Sequence, residues 1–258
     1  MCIRDSSKAK IVIPEGLNRF QIADRLEQGR VAGREDFLAR SADPLLLEAL
    51  GLRGANGTSP DSAEGYLFPA TYDFPQNTPA KDVVERLVHE SDARWSKVAK
   101  EHESGLARLE TELGWTRREI VTLASVVEKE TGASEERPMV ASVFLNRLRD
   151  PAFSPRLLQS DPTTGYGCVR DRDAAPSCAK YEGKVTGEMN RDRMNAYSTY
   201  VHDGLPPGPI SNPGAASLSA VLDPAATRYF YFVAKGGGRH AFSETYDAHL
   251  KAVRGAPP

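Results

Sequence analysis

The chain has 258 residues, 40 % of them apolar and 26 % charged, which is the balance of an ordinary globular protein with room for a sizeable core. A net charge of −2 and the lack of any long Lys/Arg run exclude a general electrostatic attraction to nucleic acid or anionic lipid. No stretch approaches the ~20 apolar residues that span a bilayer, and residues 1–10 lack the apolar centre of a signal peptide, so the chain itself reads as soluble.

Residues 1–9 show no pattern and read as the leader of a truncated fragment. Organisation begins with the β-like run Lys10–Gly16, after which Asn18 is placed to cap a helix carrying Phe20, Ile22, Ala23 and Leu26. Helices are predicted over Arg34–Ser41 and Pro44–Leu50, a Gly/Asn/Ser-rich linker over Gly51–Ser62, and a strand over Gly65–Phe74. This suggests a small β-α-α-β subdomain, with linker, over residues 10–78, and leaves residues 79–258 for a larger mixed α/β domain, an α+β protein overall. In the second part, long helices are predicted from Pro79 to about Gly105, from the Thr116 cap to about Thr131, and over Glu136–Arg149. Asp150–Met194 has little periodicity, as functional loops often do. A helix over Asn212–Leu222 follows, then a strand over Arg228–Ala234 that turns at Gly236–Gly238 into His240–Phe242, and a last helix from Tyr246 to Val253.

The helix ending at Thr131 carries the first chemical signal. With Leu123 placed at 0°, Glu130 falls at roughly 340°, inside the apolar stripe of Ile120, Leu123, Val126 and Val127, and Glu128 at roughly 140°, on its flank. Burial and the partial negative charge of a helix C-terminus both raise a carboxyl pKa, and a carboxylic acid that stays protonated near neutrality can protonate a glycosidic oxygen. By periodicity alone, a helix-end glutamate is more commonly solvated or paired. The company it keeps shifts the balance. Leu158–Pro162 supplies an amide, a hydroxyl and a carboxylate; Asn195–Tyr200 supplies two rings among small polar groups; Gly204–Ile210 is a proline-stiffened loop. Rings beside amide and hydroxyl donors suit a carbohydrate.

Other chemistries lack their residues. Cys2, Cys168 and Cys178 make no zinc motif, and Cys168 and Cys178 either close a polar surface loop as a disulfide or remain two thiols. The five histidines, at 89, 102, 202, 240 and 249, form no HExxH pair, so no metal or cofactor is implied; His240 has a place near the site or a surface or core role. There is no GxSxG elbow and no phosphate-binding loop.

Taken in order, Ile11–Gly16, Glu64–Tyr72, Ala124–Thr131, Val140–Arg149, Leu158–Tyr166, Asn195–Tyr200, Gly204–Gly214 and Tyr229–Phe242 resemble the MltG (YceG-like) endolytic murein transglycosylases over nearly the whole chain. The resemblance implies a LysM-like N-terminal subdomain, incomplete at its front edge, and cleavage of the MurNAc–GlcNAc β-1,4 bond of nascent peptidoglycan strands, leaving a 1,6-anhydroMurNAc end. It implies that Glu130 is the catalytic residue, serving first as acid and then as base. Gln159, Asp161, Asn195, Tyr197 and Tyr200 are the candidates for holding the sugar. It also implies a parent protein at the periplasmic face of the bacterial inner membrane, held by an N-terminal anchor absent here, with peptidoglycan synthases as candidate partners. Two other readings use the same residues: a non-catalytic glycan-binding or scaffolding module of the cell-wall machinery, and a glycoside hydrolase pairing Glu130 with Asp161.

Overall fold

Eleven α-helices and two antiparallel strand pairs make up the described residues, an α+β protein. The structure, a computed structural model, describes residues 8–52 and 60–255, so most of the expected leader and most of the Gly51–Ser62 linker lie outside the described residues. The chain forms two compact units: the residues up to Glu101 with Ser211–Ala215, and His102–Ile210 with the residues from Ala216 onward.

In the first unit, strand β1 (Lys8–Val12) pairs antiparallel with β2 (Thr71–Pro75), Lys8 opposite Pro75 and Val12 opposite Thr71. Its start at Lys8 lies two residues inside the expected leader. The three predicted helices separate the strands, so the unit is β-α-α-α-β and not β-α-α-β: α1 (Arg19–Gln28), α2 (Arg34–Arg40) and α3 (Pro44–Ala49). Asn18 and Gln21 close a reciprocal capping box at the start of α1, and Asp43 accepts the N–H groups of Leu45 and Leu46 at the start of α3. Ile22, Leu26, Phe37, Leu47 and Leu67 are fully buried. The long helix α4 (Ala80–Glu101) also belongs to this unit.

The strand expected over Gly65–Phe74 begins only at Thr71, because the preceding backbone is committed elsewhere. The Leu67 N–H donates to Asn212 Oδ1 at 2.8 Å, the Tyr66 N–H to the Ala63 carbonyl, and the Phe68 N–H to the Leu87 carbonyl. Asn212 also donates through Nδ2 to the Leu17 carbonyl at 3.0 Å and to Glu64 Oε1 at 2.7 Å, and Glu64 in turn accepts the first N–H of α1, that of Arg19, at 2.9 Å. Glu64 and Asn212 are both buried, so each polar group is matched inside the unit. The Gly16 N–H donates to the Asn212 carbonyl at 3.0 Å, so three of the runs that carry the family resemblance, Ile11–Gly16, Glu64–Tyr72 and Gly204–Gly214, contribute to this one hydrogen-bonded knot.

The second unit is built around α6 (Arg117–Glu130) and α7 (Arg137–Arg149). Before them lies α5 (Glu103–Leu113), a helix missing from the sequence reading. Gly105 reads as a helix end but sits inside α5, where a Cβ would overlap the Leu222 carbonyl at the end of α10 (Ala215–Leu222). Thr116 and Glu119 form the capping box of α6, and residues from Ile120 to Val127 are all buried. A 3-10 turn at Ser134–Glu136 leads into α7.

The stretch Asp150–Met194 is more ordered than its periodicity suggests, with α8 (Asp161–Arg170), a 3-10 turn at Pro176–Lys180 and α9 (Gly187–Arg191). Gly165 and Gly167 hide α8 in the sequence because glycine weakens a helix. Both serve close packing: a Cβ on Gly165 would come 3.0 Å from the Tyr181 hydroxyl, and one on Gly167 would overlap the Asn195 amide. Cys168 and Cys178 are joined in a disulfide, buried with Ala175 and packed against the half-buried Tyr181. The hairpin β3 (Tyr231–Gly236) and β4 (Arg239–Ser243) forms as expected, followed by α11 (Tyr246–Gly255). β3 starts three residues later than predicted because α7 takes the preceding carbonyls. Asn146 donates to those of Thr227 and Tyr229, and Arg147 to that of Phe230. Among the described residues no helix is long and apolar enough to cross a membrane.

Candidate active site

Glu130 is the last residue of α6, and it opens onto a cleft of about 480 Å³ within the second unit. Gln159, Asp161 and Tyr200 line this cleft, as do Arg147 from α7, Tyr231 to Val233 of β3, and Tyr246 and His249 from α11. The turn of the hairpin is seated against the residues just after Glu130. The Ala133 N–H donates to the Gly238 carbonyl at 3.1 Å, and a Cβ on Gly132 would stand 3.1 Å from Gly238 Cα. Glu136 fixes the other strand, accepting the His240 backbone N–H at 3.0 Å and lying 2.8 Å from His240 Nδ1.

The Ser160 hydroxyl donates to Glu130 Oε1 at 2.5 Å. Loss of hydration pushes the Glu130 carboxyl above the ordinary carboxylate range, and the charge of Asp161 adds to the rise. The Ser160 hydrogen bond and the electrostatic influence of His240 and Arg147 pull the other way but do not prevail. Glu128, two residues earlier, is placed differently. Its side chain is 5 % exposed, forms a 2.8 Å ion pair with Arg137 and accepts the Ser217 hydroxyl at 2.8 Å. It therefore ties α6 to α7 and α10 and does not line the cleft.

The candidates for sugar contact divide into two groups. Asp161 Oδ1 accepts the Tyr200 hydroxyl at 2.8 Å and the Asn190 amide at 2.9 Å, so both cleft residues are held in place, and burial with the Asp161 bond raises the Tyr200 pKa. Gln159 is exposed and sits at φ +54°, an uncommon conformation for a residue with a side chain, its N–H bonded to the Thr199 carbonyl at 3.0 Å. Asn195 and Tyr197 lie elsewhere. Asn195 is 3 % exposed, donates to the Thr164 carbonyl at 3.0 Å and accepts the Tyr197 N–H at 3.1 Å, while the Tyr197 ring packs edge-on against Tyr166. The physical reason is the bare backbone of Gly167, which admits the Asn195 amide into the packing beside the disulfide.

Ser160, Arg147, Tyr231 and His249 are among the residues of the site absent from the sequence expectation. Ser160 stands inside the Gln-Ser-Asp run already singled out, so a signal existed. Arg147 reads as an ordinary helix cation. Tyr231 and His249 stack on each other with centroids 5.3 Å apart, a contact between β3 and α11 that local patterning does not reveal. Among the described residues no group of three or more His, Cys, Asp or Glu is gathered as metal ligands would be.

The fold and this site place the chain in a known class. A model of the YceG-like family matches residues 2–255, and the chain belongs to that family. It is 28 % identical over 252 residues to a protein of Bacillus subtilis (strain 168) named endolytic murein transglycosylase, covering 94 % of this chain and 64 % of that protein. A protein of the same name from Streptococcus pneumoniae serotype 2 is 28 % identical over 247 residues, covering 88 % of this chain and 40 % of the relative. The chain thus spans less than two thirds of the length of these curated relatives. A crystal structure of a YceG-like protein from Listeria monocytogenes superposes with a TM-score of 0.76 at 32 % identity, covering 94 % of this chain and 75 % of the other.

Proposed function

We propose that this chain carries the catalytic cleft of an endolytic peptidoglycan lytic transglycosylase, with Glu130 as its single catalytic residue. The observation that carries the reading is a carboxyl group with a raised pKa, hydrogen-bonded by a neutral hydroxyl, in the wall of a polar and aromatic cleft. The names of the relatives support the substrate class.

In this reading the protonated Glu130 gives its proton to the bridging oxygen of a MurNAc–GlcNAc β-1,4 bond. The C1–O bond breaks as positive charge builds on the MurNAc ring. The Glu130 carboxylate then takes the proton of the C6 hydroxyl as O6 bonds to C1. The product is a 1,6-anhydroMurNAc end, no water is consumed, and Glu130 ends protonated for the next cycle. Gln159, Asp161 and Tyr200 hold the sugar. Asn195 and Tyr197 support that wall from behind through Ser198 and Thr199. We further assign the first unit to a LysM-like module. We also propose that the protein works at the periplasmic face of the inner membrane, held by an N-terminal anchor. There it terminates nascent strands, with peptidoglycan synthases as partners.

Mass spectrometry of glycan strands digested by the chain tests the reaction. Anhydro-ended fragments are expected. Reducing ends from the same digestion favour a hydrolase using Glu130 and Asp161, and intact strands in the presence of folded protein favour a binding module.

A further inference from the structure

Arg147 is 5 % exposed, yet no carboxylate accepts from its guanidinium. Nε donates to the Phe230 carbonyl at 2.7 Å, and Nη1 to the Leu158 carbonyl at 2.6 Å, with a longer 3.4 Å approach to Leu157. The guanidinium also lies over the rings of Phe153 and Tyr231, at 5.3 and 5.5 Å. A buried cation satisfied only by carbonyl dipoles and ring faces loses much of its hydration, and burial brings its pKa down to about 10, still protonated at neutral pH. Retaining a full charge there asks for a function.

The carbonyls it grips are informative. Phe230 immediately precedes the β3 residues that line the cleft, and Leu158 immediately precedes Gln159, Ser160 and Asp161. The Leu158–Gln159 peptide is held at both ends, its oxygen by Arg147 and its N–H by the Thr199 carbonyl. Gln159 takes its left-handed φ of +54° at that clamped peptide, and the next residue turns its hydroxyl onto Glu130.

We propose that Arg147 is a positioning residue for the Glu130 acid: it clamps the Leu158–Gln159 peptide so that the Ser160 hydroxyl meets Glu130, and it keeps a fixed positive charge beside the carboxylate that Glu130 becomes after giving up its proton. The inference rests on Glu130 being the acid. The charged or titratable groups that act on Glu130 are Asp161 from α8, Arg147 from α7, His240 from β4 and Tyr200 from the loop after α9, and Arg147 is the one permanent cation among them.

The test uses the full chain with Arg147→Gln, which removes the charge, and Arg147→Lys, which keeps it but cannot reach both carbonyls. Glu130 titration is followed by carboxyl carbon NMR, assigned with Glu130→Gln, and turnover is measured on uncrosslinked glycan strands. In Arg147→Gln the Glu130 midpoint is expected to move up by about half a unit to one unit. Its kcat is expected to fall about a hundredfold, with KM changed far less. In Arg147→Lys the midpoint stays near that of the parent while kcat falls about tenfold. A parental midpoint in folded Arg147→Gln overturns the electrostatic role, and a parental kcat in Arg147→Lys overturns the positioning role. Should Arg147→Gln not fold, Arg147→Met takes its place for the electrostatic role, and Arg147→Lys still decides the positioning role. Parental activity in Glu130→Gln refutes the acid assignment itself, whatever the Arg147 variants do.

Discussion

The last turn of α6 presents one glutamate to the scaffold and another, two residues on, to the cleft. Glu128 is enclosed with a guanidinium and a hydroxyl, Arg137 and Ser217, so its charge is met by an opposite charge inside the protein. Glu130 receives a hydroxyl alone, with Arg147 and His240 acting on it only through space. Burial is common to the two; the partner differs. A buried carboxyl given a cation becomes a structural ion pair, whereas one given a neutral donor keeps its affinity for a proton. The same helix turn therefore yields a fastening and an acid.

The sharpest way to break this comparison is to neutralise each glutamate. Glu130→Gln is expected to lower cleavage of glycan strands by about a thousandfold or more, a loss of general acid–base function together with its charge. It should not lower the thermal midpoint. The raised folded-state pKa means that the stability Glu130 contributes is fully present below its unfolded pKa and fades as pH rises through the folded value. The melting temperature of Glu130→Gln should therefore gain on the parent as pH increases, and a variant that loses ground instead contradicts the assignment. Glu128→Gln should do the reverse. It leaves Arg137 buried without its carboxylate, at a cost of about 3 kcal/mol by denaturant unfolding, while the folded fraction keeps its activity within about threefold. If Glu128→Gln abolishes cleavage and Glu130→Gln does not, the roles are exchanged.

Smaller changes sharpen the picture of the Glu130 environment. Ser160→Ala removes the one hydrogen bond that lowers the Glu130 pKa, so the alkaline limb of the pH–rate profile should move upward as kcat falls about tenfold. A limb that moves down would show that Ser160 acts in another way. Gln159→Gly replaces a side chain held at positive φ and should raise stability by up to about 1 kcal/mol, with weaker substrate binding seen as a higher KM. A destabilised Gln159→Gly would mean that the left-handed backbone carries little strain.

What was legible in the sequence follows from what is local. Thr116 and Glu119 announce the start of α6, the Gly236–Gly238 turn announces the hairpin, and the 100° period places Glu130 on the buried face. Asn195 and Tyr197 looked like sugar-binding residues because an amide beside an aromatic ring suits a sugar and a packed core equally. Only the proximity of Gly167, 28 positions away, decides where the amide goes. Arg147 was invisible for the opposite reason. Its partners are main-chain carbonyls, which leave no mark on the identity of the residues that bear them. The expected strand over Gly65–Phe74 starts too early because Asn212, distant in sequence, engages the backbone that precedes β2.

Asn212 also has a consequence for the order in which the molecule is made. The unit that begins the chain includes Ser211–Ala215, which leave the ribosome only after residues 102–210 have been synthesised. Until then the Leu67 N–H and the Glu64 carboxylate lack their Asn212 partner, and the first unit can be compact but not complete. A nascent chain halted near residue 110 should therefore be more open to protease around Glu64–Phe68 than one released past residue 215, and an excised N-terminal fragment would inherit the same vulnerability.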